Sequence, residues 1–496
     1  MGFCHKNTEL DSPAMQRLGQ FVLEWELRWE TTLPDFERFE HELHERIMAL
    51  EREMLTEELA RYDVKAEQVA VSGITYRQAL TSTETYVSAA GPLTVERHLY
   101  RPAGRGSKSL CPLELRAGII GGYWTPRAAR QSAFAMAHLT PGDSEALFAE
   151  LGGMRPSRPS LDRLPKVLSS HWEDHRQEWE AALRTGETIP QSAVVIAISV
   201  DGVTIRMKSD EPQAKRDQPG KHASGPLGQR EVGCGTVVLY DAEGERLQTV
   251  RYGRMPEKRK ATLQQQLETE TSSILALQPN LKRVLLADGA EPNWSLLSAV
   301  DQACGPSLQP SVEIVDFYHA CDHLKEGCDA AWGESTPRSK AEFERLKILL
   351  KEDDTGADRI IRMLKYHRSR ARGFKQKRLE TQLTYFRNQQ PRMHYAQYLR
   401  DCLPIASGVM EASCKTLVTQ RMKQSGMAWS HSGGQAILTL RSIIQSDRWH
   451  PAWDLLRTDF CKIVTISHTQ NIQPAMSQQK CLLQHPQNLS LLPSAG

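Results

Sequence analysis

V-V-I-A-I-S-V-D-G-V, residues 194–203, decides the fold. A continuous apolar run of this length reads as a strand buried on both faces, and it stops at Asp201 with Gly202 behind it. The same ending recurs in R-V-L-L-A-D-G-A (283–290), where Asp288 precedes Gly289, and E-I-V-D-F-Y-H (313–319) stops at Asp316. Strands that each end on a carboxylate bring those carboxylates to one edge of a sheet. The small residue after Asp201 and Asp288 lets the backbone turn away and leaves the acid exposed. One aspartate at a strand end is usually a turn former or helix cap. Repetition of the ending is what points to chemistry.

Outward from these runs, strands are expected over 232–240 and 246–252 around the turn D-A-E-G, and a helix from about 257 to 277. A strand over 283–287, a helix near 294–303 and a strand over 312–315 follow. Three strands, helix, strand, helix, strand is the order of an RNase H-like fold, an α/β core with a mixed sheet. From 321 to about 401 the pattern is helical throughout and reads as an insertion. G-V-M-E-A-S-C-K (408–415) then places Glu411 at the start of a late helix, and a helix over 433–446 closes the core.

A chain of 496 residues is too long for one compact core. Residues 1–75 are expected to be an acidic helical region, and 76–185 a β-hairpin around Gly91-Pro92 followed by a helix-turn-helix-like DNA-binding region. The core's first part is assigned to 190–320, a basic all-helical insertion to 321–404, and the closing helices to 405–460. The tail 467–496, rich in Gln, Asn, Ser and Pro, is expected to be disordered. In the helix-turn-helix-like part, Arg155, Arg158, Arg163 and Lys166 are the residues that argue for DNA.

No run approaches the roughly 18 to 20 apolar residues of a membrane span. The ten cysteines include no C-x-x-C pair, which suits a reducing, cytoplasmic setting. Net charge is +2, but the first sixty residues carry 14 Asp/Glu against 6 Lys/Arg, so the remainder is basic. That asymmetry is compatible with a nucleic-acid partner.

Phosphoryl transfer on DNA needs an activated nucleophilic oxygen and a stabilised leaving oxygen. Two Mg²⁺ ions about 4 Å apart supply both and take carboxylate oxygens. The acids at the strand ends and Glu411 are of the type that such chemistry requires.

The run from about 190 to 453 resembles the DDE transposases of bacterial insertion sequences, closest to the ISKra-type group and distantly to Mutator-like elements. V-D-G-V (200–203), A-D-G-A-E-P-N-W (287–294), V-D-F-Y-H-A-C-D-H-L (315–324), G-V-M-E-A-S-C-K and R-M-K-Q-S-G-M-A-W-S (421–430) carry the resemblance. It implies a catalytic and metal-binding triad of Asp201, Asp288 and Glu411, holding two Mg²⁺ with Mn²⁺ as a substitute. Asp316 and His319 match the family's D-x-x-H element beside the site, or else act as a helix cap and a structural residue. His319 and His323 are spaced like a zinc-protease helix, but Ala320 stands where the glutamate base is needed. Cys111 stands alone in the N-terminal half, so no zinc-like module carries over from the family.

Between 362 and 400 there are 11 Lys/Arg and one acid, Glu380, with aromatics interleaved. Arg368, Arg370, Arg372, Lys375, Lys377 and Arg378 are expected to neutralise phosphates, while aromatics stack on bases. Lys415, one turn beyond Glu411, and Arg421, Lys423 and Trp429 are added as DNA contacts.

The expected activity is metal-dependent hydrolysis at insertion-sequence ends, then transesterification of the freed 3′-OH into target DNA. The partners would be double-stranded DNA, as terminal inverted repeats and target, and further copies of the chain in a dimer or larger assembly. The setting would be a bacterial cytoplasm, nucleoid-associated. The alternatives are an RNase H-like nuclease or resolvase without strand transfer, and a catalytically silent transposase-derived DNA-binding protein.

Overall fold

Strand β4 (Val195–Arg206) is the axis of the molecule, and Ile196, Ile198 and Val200 on it are almost wholly buried. The structure is a computed structural model describing residues 13–29, 35–102, 109–208, 228–306 and 309–466. The tail expected to be disordered and most of the linker near 105–109 lie outside the described residues.

The chain begins with helices α1 (Pro13–Trp29) and α2 (Phe36–Ala60). Asp35 caps α2 by accepting from the Glu37 and Arg38 amides. Strands β1 (Gln68–Val71), β2 (Ile74–Ser88) and β3 (Gly91–Pro102) follow. The hairpin turn falls on Ala89-Ala90, just before the expected Gly91-Pro92, because Ser88 pairs with Gly91 and Val87 with Pro92. This sheet has the order β3-β2-β1-β9, its last strand being β9 (Val464–Ile466) from the far end of the described chain.

Helices α3 (Pro112–Ala117), α4 (Pro126–His138), α5 (Pro141–Leu151) and α6 (Arg158–Gly186) come next. In α6, Leu161, Leu164, Leu168, Trp172, Trp179 and Leu183 bury one long face. Arg158 pairs with Glu145 and Lys166 with Asp162, both at 2.5 Å, so these two bases are engaged within the helical layer.

The larger sheet has the order β6-β5-β4-β7-β8. It combines β5 (Gln229–Tyr240), β6 (Arg246–Arg254), β7 (Lys282–Ala287) and β8 (Val312–Val315) with β4. β4 runs antiparallel to β5 and parallel to β7, and β7 runs parallel to β8, so the sheet is mixed. The parallel connections are made by α7 (Ala261–Leu277) and α8 (Glu291–Ala303). Gly233 and Gly235 on β5 let α7 approach: a Cβ there would lie 3.0–3.1 Å from Leu263 and Leu267.

The helical segment comprises α9 (Phe317–Trp332), α10 (Pro337–Glu352), α11 (Gly356–Arg370), α12 (Gly373–Gln389) and α13 (Tyr395–Arg400). Leu324, Leu346, Ile360, Leu383 and Phe386 join one continuous apolar core with the sheet. After α14 (Gly408–Ser413) the chain passes through a π-helical turn, Cys414–Thr419, to Gln420–Met422. Helices α15 (His431–Gln445) and α16 (Trp449–Asp459) then pack Leu440, Ile443, Trp449 and Trp453 against α4–α6. Among the described residues no helix is long and apolar enough to cross a membrane.

Candidate active site

The parallel ladder between β4 and β7 ends at the rung Ser199↔Leu286. Asp201 and Asp288 each lie two residues beyond that rung, on neighbouring strands about 4.8 Å apart. Asp201 does not end its strand, contrary to the expectation. β4 continues to Arg206 because its antiparallel ladder with β5 outlasts the parallel one, pairing Asp201 with Cys234 and Arg206 with Gln229. The aspartate marks where β4 parts from β7.

Both acids line a cleft of about 830 Å³ with Glu231, Arg254, Arg259, Lys260 and Asn293. Asp201 Oδ1 accepts from the Gly202 amide at 2.7 Å, and Oδ2 from Cys414 Sγ at 3.6 Å. Burial raises the Asp201 carboxyl above the usual range, and the charge of Asp288 adds to the rise. Asp288 Oδ1 accepts from the Ala290 amide at 3.1 Å and from Asn293 Nδ2 at 2.9 Å.

The two glycines meet close neighbours and do not serve a turn. Neither has a positive φ. A Cβ on Gly202 would lie 2.1 Å from the Glu231 carboxylate, and one on Gly289 would lie 2.4 Å from the Tyr385 ring. Gln389 Nε2 also donates to the Gly289 carbonyl at 3.1 Å, so α12 packs directly on the loop after Asp288.

Glu411 is exposed in the first turn of α14, one turn before Cys414, whose thiol touches Asp201. It is not among the residues lining the cleft. Among the described residues no three His, Cys, Asp or Glu side chains group closely enough to hold a metal ion. The donor types nevertheless suit a hard cation: two neighbouring carboxylates whose mutual repulsion a divalent ion would relieve.

Asp316 is a connector. It caps α9 by accepting from the His319 amide at 2.6 Å, and its other oxygen accepts from the Ser407 amide just before α14. His319 lies edge-on to His323, centroids 5.2 Å apart, and His323 stacks on Tyr385 at 3.6 Å.

The DNA-contact residues divide. Arg370 lies over the exposed Tyr366 ring at 3.8 Å, and Arg372, Lys377, Lys415 and Lys423 are exposed. Arg368 is paired with Glu380, Arg378 lies 3.9 Å from Glu334, and Lys375 donates to the Ala331 carbonyl. Tyr385, Phe386, Tyr395 and Tyr398 pack in or against the core, while Phe374 is 77% exposed.

Arg421 is a correction. It is 2% exposed and donates to the Met136 carbonyl, while Arg441 donates to the adjacent Ala137 carbonyl. Both satisfy the carboxyl end of α4. Trp429 is half-buried: its indole donates to the Met422 carbonyl at 2.9 Å, and its backbone bonds to Arg206 and Lys208. It ties this segment to the end of β4.

Sequence reasoning overlooked Cys414, Glu231, Lys260 and Asn293. Asn293 and Cys414 stand within motifs quoted above, and their spacing to Asp288 and Glu411 was an available signal.

No family model and no curated protein matches the chain. Among solved structures, one similarity is to the Drosophila P element transposase strand transfer complex. It has 10% identity over 64% of this chain and 79% of that chain, with a TM-score of 0.24. A likeness at that level defines neither fold nor function.

Proposed function

We propose that the chain is a DNA transposase of the DDE type, its larger sheet an RNase H-like core. One observation carries this: Asp201 and Asp288 stand side by side past the last parallel rung, at the lip of an open cleft. The helical run bearing Glu411 is docked on Asp201 through Cys414. Asp201, Asp288 and Glu411 would hold Mg²⁺ or Mn²⁺, which when bound activates the attacking oxygen and stabilises the leaving one. Asn293 fixes the orientation of Asp288, and the Gly202 amide and Cys414 fix that of Asp201. The exposed bases of α11 and α12, beside Tyr366 and Phe374, offer a surface for flanking DNA.

The test uses labelled duplexes from the DNA adjoining the gene, supplied intact and with pre-cut 3′ ends. In Mg²⁺ or Mn²⁺ the protein should cleave the first and join the second to a target plasmid. Asp288→Asn should abolish both while retaining binding. Cleavage without joining would make it a nuclease. Binding alone, unaffected by Asp288→Asn, would make it a silent DNA-binding protein.

A further inference from the structure

The cleft that holds the acid pair is also lined by Arg254, Met255, Pro256, Glu257, Arg259 and Lys260 of the turn R-M-P-E-K-R-K, residues 254–260. Two successive residues there, Arg259 (φ 55°) and Lys260 (φ 51°), hold left-handed backbone without being glycine. Such conformations are strained in an L-residue and persist only where surrounding contacts impose them. Those contacts are visible. Lys260 Nζ lies 2.8 Å from Glu231 and donates to Asn293 Oδ1 at 3.1 Å. Asn293 in turn donates to Asp288. Glu257 accepts from the Leu263 amide and holds the start of α7.

The cations of this wall are not equivalent. Arg254 is committed to a two-point ion pair with Glu173, at 2.7 and 3.0 Å. Lys260 is committed to Glu231 and Asn293. Arg259 is exposed, lines the cleft, and makes no ion pair among the described residues. An exposed guanidinium without an ion pair, in the same cleft as two carboxylates, suits an anionic ligand whose charge the cation meets while the acids serve its chemistry.

We infer that Arg259 is the phosphate contact of the cleft, taking a non-bridging oxygen of a nucleic-acid phosphodiester bound in the cleft that Asp201 and Asp288 also line. Lys260 is a positioning residue that holds the strained turn and, through Asn293, sets its place relative to Asp288. The inference rests on the proposed nucleic-acid chemistry of the same cleft and adds the residue that receives the backbone.

The test compares wild type with Arg259→Gly, Arg259→Ala and Arg259→Lys on the labelled duplex described above. Arg259→Gly removes the charge and relieves the strain. It should melt higher than wild type, yet lose roughly 100-fold in cleavage rate and lower the slope of log K against log salt by about 1. Arg259→Ala should lose the same activity without the higher melting temperature, and Arg259→Lys should recover part of the rate. If wild type cleaves and Arg259→Gly and Arg259→Ala cleave as fast with an unchanged salt slope, the inference is overturned while the functional proposal stands. If wild type neither binds nor cleaves DNA, both fall together.

Discussion

Cys414 Sγ donates to Asp201 Oδ2 at 3.6 Å, and Cys414 follows Glu411 by three residues on the same helical run. This contact fixes the spacing between the helix that carries Glu411 and the strand that carries Asp201. The thiol is buried, and the neighbouring Cys234 thiol, burial and the Asp201 charge all push its pKa up, so it stays a protonated donor. On the proposed function, Cys414→Ala should reduce metal-dependent cleavage roughly 10-fold and raise the Mg²⁺ concentration for half-maximal rate, the size of effect expected beside a metal ligand. Cys414→Ser, which keeps a donor, should restore both. Equal Mg²⁺ titrations for the Ala and Ser variants would show that the contact serves packing alone.

Asp316 makes its contacts to backbone amides at two helix starts, so its role can be separated from that of Asp288. Asp316→Asn keeps an accepting oxygen for the His319 amide and should retain most cleavage activity. Asp316→Ala should cost about 1–2 kcal/mol in stability, through the lost cap and the unpaired Ser407 amide. Thermal melts and cleavage rates of the two variants check this. Inactivity of a fully folded Asp316→Asn would make it a ligand after all.

The core was legible where chemistry is local. The apolar run before Asp201, the run before Asp288 and the strand Val312–Val315 announce themselves by composition, and the mixed sheet follows from their order with α7 and α8. What escaped depends on distant partners. β1 and β9 pair residues as far apart as Ala70 and Thr465, and neither strand has a pattern of its own. β4 runs past Asp201 only because β5 continues beside it.

The site was half legible for the same reason. Acids that follow buried apolar runs can be read from one sequence, whereas a charge buried against a helix end cannot. Arg421 looks like any other base of the chain until the open carbonyls at the end of α4 come into view. The left-handed backbone at Arg259 and Lys260 has no glycine to signal it.

Gly289 and Gly202 should respond differently to alanine. At Gly289 the new methyl meets the Tyr385 ring, which is stacked on His323 and packed against the core, so it has little room to step aside. Gly289→Ala should cost about 1–3 kcal/mol and displace α12 from the cleft. At Gly202 the obstacle is the mobile end of Glu231, whose side chain is 53% exposed. Gly202→Ala should leave stability within about 1 kcal/mol while breaking the Glu231–Lys260 pair. Denaturant midpoints compare them: Gly202→Ala as damaging as Gly289→Ala would contradict this account.

Arg448, just before α16, joins that helix to α7 and to the end of α6. It bonds to Glu270 at 2.8 and 3.1 Å and to Glu187 at 2.6 and 2.9 Å, with Glu270 only 2% exposed. Burial drives the Glu270 carboxyl up, but Arg448 and the Tyr252 hydroxyl outweigh it and hold the acid below its ordinary range. Arg448→Ala leaves that buried carboxylate only Arg184, at 3.3 Å, as a cation and should cost about 3 kcal/mol. Arg448→Met with Glu270→Leu, removing both charges, should recover part of the loss. A single mutant as stable as wild type would show that the network is not needed.

Glu180, on the buried face of α6, gives stability a pH dependence of known sign. Burial pushes its carboxyl up to about 7, against the hydrogen bond from Gln266 and the charge of Arg176. In the unfolded chain a glutamate ionises near pH 4.3, so the folded state is the one that holds the proton more tightly. Between about pH 4.3 and 7 the unfolded state has already released that proton, and stability falls as pH rises through this window. Above it the full cost applies, roughly 2–4 kcal/mol; below it there is none. Glu180→Gln keeps an oxygen for the Gln266 amide and cannot ionise. It should therefore raise the melting temperature at about pH 8, leave it unchanged near pH 4, and flatten the profile between. An equal shift at both pH values would assign the effect to packing, not to the buried charge.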